Sequence, residues 1–213
     1  MKNGYMGSQE RSTLFDEIFG VDRLLLLDCE YTCWEDSLPT QWADPRRPAE
    51  LIEIALVEYD VPDGRVGRSF HALVRPSMNP VLSAYCKGLT HIRQTDVEHA
   101  LFLPEVLIRL EAWRSRSDRC NAPICAWGTG DLRVIAQDAG RHGCPSPLEG
   151  VREISLPDLY RAAVSRQAFG DGERDTIRQN FGLQQCEGRH RALADALDLV
   201  GFLAHLRSMA KTE

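Results

Sequence analysis

Three short stretches of the chain place acids or a histidine where backbone geometry could bring them to one point. The first is Asp28-Cys29-Glu30, which ends the apolar run Leu24–Leu27. Side chains alternate along an extended strand, so Asp28 and Glu30 share a face and both carboxylates can reach one cation. The second is Trp127-Gly128-Thr129-Gly130-Asp131, a corner from strand to helix. Asp131 either serves a site there or merely starts the helix, whose dipole favours an anion. The third is His190-Arg191-Ala192-Leu193-Ala194-Asp195. On a helix, residues five apart lie about 140° apart, so the pair meets only if His190 sits at the helix start and leans over a site into which Asp195 points. The same patterns recur elsewhere: Asp96-Val97-Glu98 and Asp171-Gly172-Glu173 repeat the acidic triplet, and His91 precedes Asp96 at the same spacing. Those lie in loop-like or helix-start stretches, where capping or solvated charge accounts for them. Only Asp28 and Glu30 emerge from a strand that core packing would hold rigid.

The elements that must position these residues follow from hydrophobic period and turn residues. Arg23–Glu30 reads as a buried strand, Asp36–Ala49 as a Pro-rich loop, and Leu51–Tyr59 as a second strand turned by Pro62-Asp63-Gly64 into Arg68–Arg75. Then come a helix from Pro104, a short strand Pro123–Trp127, and a helix Asp131–Gly140. A strand end at Glu153–Leu156, helices Pro157–Ala168 and Arg174–Phe181, and a long last helix His190–Arg207 complete the pattern. Three leading antiparallel strands followed by alternating helices and short strands predict an α/β fold, a central mixed sheet flanked by helices. No repeat or linker divides the chain. Residues 1–22 read as a leader, with Leu14, Phe15, Ile18 and Phe19 as one docking turn; residues 23–207 read as one domain and 208–213 as a tail.

Composition narrows the class. The 213 residues are 43% hydrophobic and 26% charged, enough apolar material for a full core, which excludes disorder. The run Leu24–Leu27 is far shorter than the about 20 residues a membrane helix needs, and Met1–Glu10 lacks the apolar core of a signal peptide. The expectation is a cytoplasmic chain without a membrane partner. The seven cysteines are scattered, without zinc-ligand spacing, as for free thiols in a reducing compartment. A net charge of −6 argues against broad electrostatic wrapping of nucleic acid, though not against a local grip through metal ions and a few arginines.

Taken together, strand-end Asp-x-Glu, Asp at a strand–helix corner and His-x4-Asp on the last helix occur in the order of the DEDDh 3′–5′ exonucleases. The chain resembles that family over roughly residues 22–207 and is most similar to its Eri-like branch. The similar stretches are LDCEYTCWEDS (27–37), ELIEIALVEYDV (50–61), FHALVRPSMNPVLSAYCKGLTHIR (70–93), AWGTGDL (126–132) and EGRHRALADAL (187–197). The resemblance implies an RNase H-like fold and two Mg²⁺ ions, replaceable by Mn²⁺, held by Asp28, Glu30, Asp131 and Asp195. It also implies His190 as general base. Asp28 would bridge the ions, Glu30 and Asp195 would complete one site, and Asp131 would hold the second ion. The chain departs from the family at His91, where glycine usually follows Leu-Thr, and at Ala194, where an acid commonly stands.

The function this implies is hydrolysis of single-stranded nucleic acid from its 3′ end, RNA more than DNA, releasing nucleoside 5′-monophosphates. A DNA-directed or small-oligonucleotide nuclease of the same fold, or a non-catalytic binding module, are the alternatives. Tyr31, Thr32, Trp34, Trp127 and Arg191 flank the expected site as candidate substrate contacts; for the aromatic side chains core packing is the competing role. Arg46, Arg47, Arg189 and Arg191 either touch phosphates or form ordinary solvated charge. Monomer and homodimer both remain open.

Overall fold

The structure, a computed structural model, describes residues 18–116 and 122–210. Three long strands open it: β1 (Arg23–Tyr31), β2 (Leu51–Asp60) and β3 (Arg65–Arg75). Each pairs antiparallel with the next, Asp28 opposite Ala55 and Glu30 opposite Glu53. β4 (Leu101–Phe102) adds parallel to β3, while β5 (Ile124–Ala126) and β6 (Glu153–Ser155) add parallel beyond β1. The sheet order is β4-β3-β2-β1-β5-β6, so β1 lies inside the sheet, between its antiparallel partner β2 and its parallel partner β5. This is the mixed α/β sheet expected from the sequence.

Helices cover both faces. They are α1 (Ser37–Thr40), α2 (Ala84–Thr90), α3 (Gln94–Glu98), α4 (Leu103–Arg114) and α5 (Asp131–Arg141), then α6 (Leu156–Ala163), α7 (Arg166–Phe169), α8 (Arg174–Phe181) and α9 (Ala192–Ala210). Strand alternation sorts the apolar residues between two cores. Leu24, Leu26, Ala55, Val57 and Tyr59 pack beneath Ala192, Ala196, Leu199, Phe202, Leu203 and Leu206 of α9. Leu25, Leu27, Cys29, Ile54 and Leu56 face α4 and α5 instead. β2 is therefore buried along both faces, which explains why its sequence is apolar almost without a break. Because Asp28 and Glu30 continue the Leu24–Leu26 row, they end up on the α9 side of the sheet.

Several boundaries differ from those expected. The helix expected over Pro157–Ala168 breaks after Ala163: buried Val164 is extended, and Ser165 accepts the Ala168 N–H (3.2 Å) to start the separate turn α7. The last helix begins at Ala192 rather than His190, whose backbone is left-handed with φ 59°. The expected loop 36–49 contains α1, and α2 and α3 fill a stretch that carried no expected helix. β3 starts three residues earlier, at Arg65. Of the leader, Leu14 and Phe15 lie outside the described residues, as do 211–213 of the tail. Ile18 is buried in the α9 core, with Phe19 packed against it.

Candidate active site

Asp28 and Glu30 are delivered by the end of β1, Asp131 by the first residue of α5, and Asp195 by the first turn of α9. The carboxyl of Asp28 is pushed well up by burial and then by Asp131, with Glu30 and Asp195 adding to it and Arg174 opposing. Glu30 is pushed up to about 8 by burial, Asp195, Glu53, Cys86 and Asp131. Asp131 is also raised by burial, against the hydrogen bond from Tyr31 and the charge of Arg174. These shifts have one geometric cause: acids from three elements share a partly desolvated space, where each like-charged pair about 4 Å apart costs about 4 kcal/mol at an effective dielectric of 20.

Protein donors offset only part of that repulsion. The Tyr31 hydroxyl donates to Asp131 Oδ1 at 2.5 Å. Arg174, from the start of α8, reaches Asp195 Oδ1 through Nη1 (3.1 Å) and Asp28 Oδ1 through Nη2 (3.4 Å). Its guanidinium also lies 5.3 Å from the Trp127 ring centroid. One turn later on α8, Arg178 forms a buried two-pronged pair with Asp198 (3.0 and 2.6 Å), so α8 is fastened to α9 at Asp195 and Asp198 together.

His190 completes the group. Its backbone N–H donates to Asp195 Oδ2 at 2.9 Å, and ligand atoms of Glu30, His190 and Asp195 all lie within 4.8 Å of one another. Burial and then the neighbouring Arg189 hold the imidazole below its ordinary value. The His-x4-Asp spacing therefore works as the sequence geometry required, with His190 just outside the helix and Asp195 inside its first turn. The four carboxylates, only partly offset by the guanidinium of Arg174, fit a hard divalent cation. The carboxylates of Glu30 and Asp195 lie close enough to share a metal ion, with the His190 imidazole beside them.

The flanking residues divide. Trp127 packs one way against Phe202, ring centroids 4.7 Å apart, and carries Arg174 on its ring. Trp34 is partly exposed and carries Arg47 at 5.3 Å. Thr32 is scaffold: it is buried, its hydroxyl donating to Pro48 O and accepting from Glu50 N–H, both at 3.0 Å. Arg191 binds Glu53 through Nε and Nη2, the latter at 2.7 Å. Arg46 and Arg47 pair with Asp44, and Arg189 pairs with Asp175. The repeated motifs have local uses: Asp96 accepts the Arg93 N–H at the start of α3, and Asp171 accepts the Glu173 N–H. His91 ends α2 with φ 58°, a left-handed position that glycine occupies more easily.

The sequence reading missed Arg174 and Glu53. Arg174 had no signal beyond its place at a helix start. Glu53 had one: a lone acid inside the apolar run Leu51–Val57, which requires a buried partner.

Residues 25–202 match the family model RNase_T, described as Exonuclease. The chain is 36% identical over 207 residues to ERI1 exoribonuclease 2 of Danio rerio, covering 89% of this chain and 35% of that protein. It is 27% identical over 155 residues to the 3′-5′ exonuclease Snipper of Drosophila melanogaster, covering 65% of this chain and 54% of that one. It thus spans about half or less of the length of these relatives. In fold it is similar to the nuclease domain of 3′hExo, described as a DEDDh family member bound to rAMP. That match has a TM-score of 0.73 and 21% identity, over 89% of this chain and 92% of the other. The RNase H-like architecture expected from the resemblance is the one observed. With the family model spanning most of both cores and all four carboxylates, the chain belongs to the RNase_T exonuclease family.

Proposed function

We propose that this chain is a metal-dependent 3′–5′ exonuclease. It hydrolyses phosphodiester bonds from the 3′ end of single-stranded nucleic acid and releases nucleoside 5′-monophosphates. One observation carries the reading: Glu30, His190 and Asp195 bring ligand atoms within 4.8 Å of one another, and Arg174 ties Asp195 to Asp28 in the same group of acids. The relatives named as exoribonucleases support RNA over DNA as substrate.

Asp28, Glu30, Asp131 and Asp195 would hold two divalent ions, Mg²⁺ or Mn²⁺, whose chemistry when bound would be activation of water and neutralisation of charge on the phosphate and the departing 3′ oxygen. The chain's own groups do the rest. The imidazole of His190, unprotonated near neutral pH, takes the proton of the attacking water as the new phosphorus–oxygen bond forms. The 3′ oxygen leaves with the bonding pair and takes a proton from solvent. Asp195 steadies His190 through its backbone N–H, and the Tyr31 hydroxyl orients Asp131. Trp34 is the aromatic residue suited to stacking on a terminal base, worth about 1–3 kcal/mol, and Trp127 presents its Arg174-covered face to the same site. Four buried free thiols, Cys29, Cys33, Cys86 and Cys125, suit a cytoplasmic protein. Among the described residues no helix is long and apolar enough to cross a membrane.

The test is a time course on 5′-labelled single-stranded RNA and DNA with Mg²⁺, Mn²⁺ or EDTA. The expected product is a ladder shortening from the 3′ end, faster on RNA and absent with EDTA. Binding of either strand without cleavage would instead favour a non-catalytic module.

A further inference from the structure

Glu53 is the acid that the carboxylate group does not use. It lies on β2 directly opposite Glu30, on the same sheet face, and is fully buried. Three neighbours donate to it. His71 Nε2 from β3 stands 2.7 Å from Oε1, and Arg191 grips the carboxylate through Nε (3.1 Å) and Nη2 (2.7 Å). The N–H of Ala192, first residue of α9, reaches Oε2 at 2.9 Å. Burial alone would raise this carboxyl, but the His71, Arg191 and Ala192 hydrogen bonds hold it down at about 2.

A buried ion pair is a poor source of net stability, because desolvation cancels most of its attraction. What Glu53 does offer is a fixed point. Arg191 and Ala192 are the two residues that follow His190, and His190 holds φ 59°. For a residue with a Cβ that conformation costs roughly 1–2 kcal/mol, and it persists only where its surroundings over-determine it. Two anchors bracket it: Asp195 accepts the His190 N–H, and Glu53 holds the next two residues.

We propose that Glu53 is a positioning residue for the reaction: by clamping Arg191 and the first N–H of α9, it fixes the strained His190 backbone that sets the imidazole beside Glu30 and Asp195. The proposal rests on the reading of His190 as general base. It also gives Arg191 a role in positioning, beside any contact with substrate.

The test is a double-mutant cycle on the full chain with Glu53→Gln, His190→Ala and the pair, recording kcat, KM, the thermal midpoint and Mn²⁺ affinity by electron paramagnetic resonance. Glu53→Gln is expected to lower kcat on the order of 10²-fold, the scale of a catalytic group misplaced by about 1 Å. KM and Mn²⁺ affinity should stay within about twofold of wild type. In the His190→Ala background the same change should alter kcat by less than about twofold, because a residue acting through His190 has nothing left to position. Equal losses in both backgrounds would assign Glu53 a general structural role and overturn the proposal. Wild-type kcat in His190→Ala would overturn the general-base reading itself, a different and separable result. Arg191→Lys keeps the charge but loses the fork; it should show the same dependence on His190 if Glu53→Gln does not fold, and equal losses with and without His190 would again overturn the proposal.

Discussion

Replacing His190 with Ala should cost on the order of 10²–10⁴-fold in kcat, the range for a positioned general base. All four carboxylates stay in place, so Mn²⁺ titration should give near wild-type affinity; full activity in this variant would mean that another group takes the proton. The acids and His190 were legible in the sequence because each stands at a strand end or helix start, where side chains cannot retreat into regular packing. Thr32 was not legible, since nothing in its neighbours tells that its hydroxyl is used by Pro48 and Glu50. Arg174 was equally hidden. Its importance comes from α8 being fastened to α9 through Arg178 and Asp198, a contact between residues 20 positions apart.

At the scale of elements, α9 both closes one core and carries Asp195. Phe202 in its middle is fully buried, with ring contacts to Trp127 and Tyr160. Phe202→Ala should destabilise the fold by about 3–5 kcal/mol, the usual cost of such a cavity, read from the midpoint of urea unfolding. It should also loosen Trp127 and raise KM at temperatures where the variant is still folded; unchanged stability would mean that α9 is not the lid of this core. Strand periodicity made β1 and β2 plain, including which face Asp28 and Glu30 share. The hidden boundaries have specific causes. Ser165 starts its own turn where the pattern ran on, and the side chains of Asp195 and Glu53 begin α9 after His190 rather than before it. The Glu53 contact joins residues 139 positions apart, which a local pattern does not record, while the Ser165 and Asp195 contacts are local caps that hydrophobic period does not register.

At the scale of the whole molecule, the fold pays for crowding acids into a dry site, and the payment depends on pH. Glu30 has a folded pKa near 8, far above its unfolded value of about 4.3. The stability attached to its protonated form is complete below about pH 4.3 and is lost as pH rises towards 8. In EDTA, wild type should therefore lose stability relative to Glu30→Gln between pH 5 and 8, by up to about 1.4 kcal/mol per pH unit. Comparing the two proteins cancels titrating groups away from the site, such as His205, whose lowered value acts in the opposite direction, while Asp28, which Glu30 helps to raise, changes together with it. Divalent ions should raise the wild-type thermal midpoint more at pH 8 than at pH 5, because ligands must be deprotonated to bind; equal shifts at both would contradict a carboxylate site. The central claim, that these acids form a hydrolytic centre working from the 3′ end, is tested most directly by one gel. Wild type and Asp28→Ala are incubated with 5′-labelled single-stranded RNA and Mg²⁺. A ladder that shortens stepwise from the 3′ end with wild type and is absent with Asp28→Ala is the predicted result. An intact strand with wild type, or the same ladder with both proteins, would contradict it.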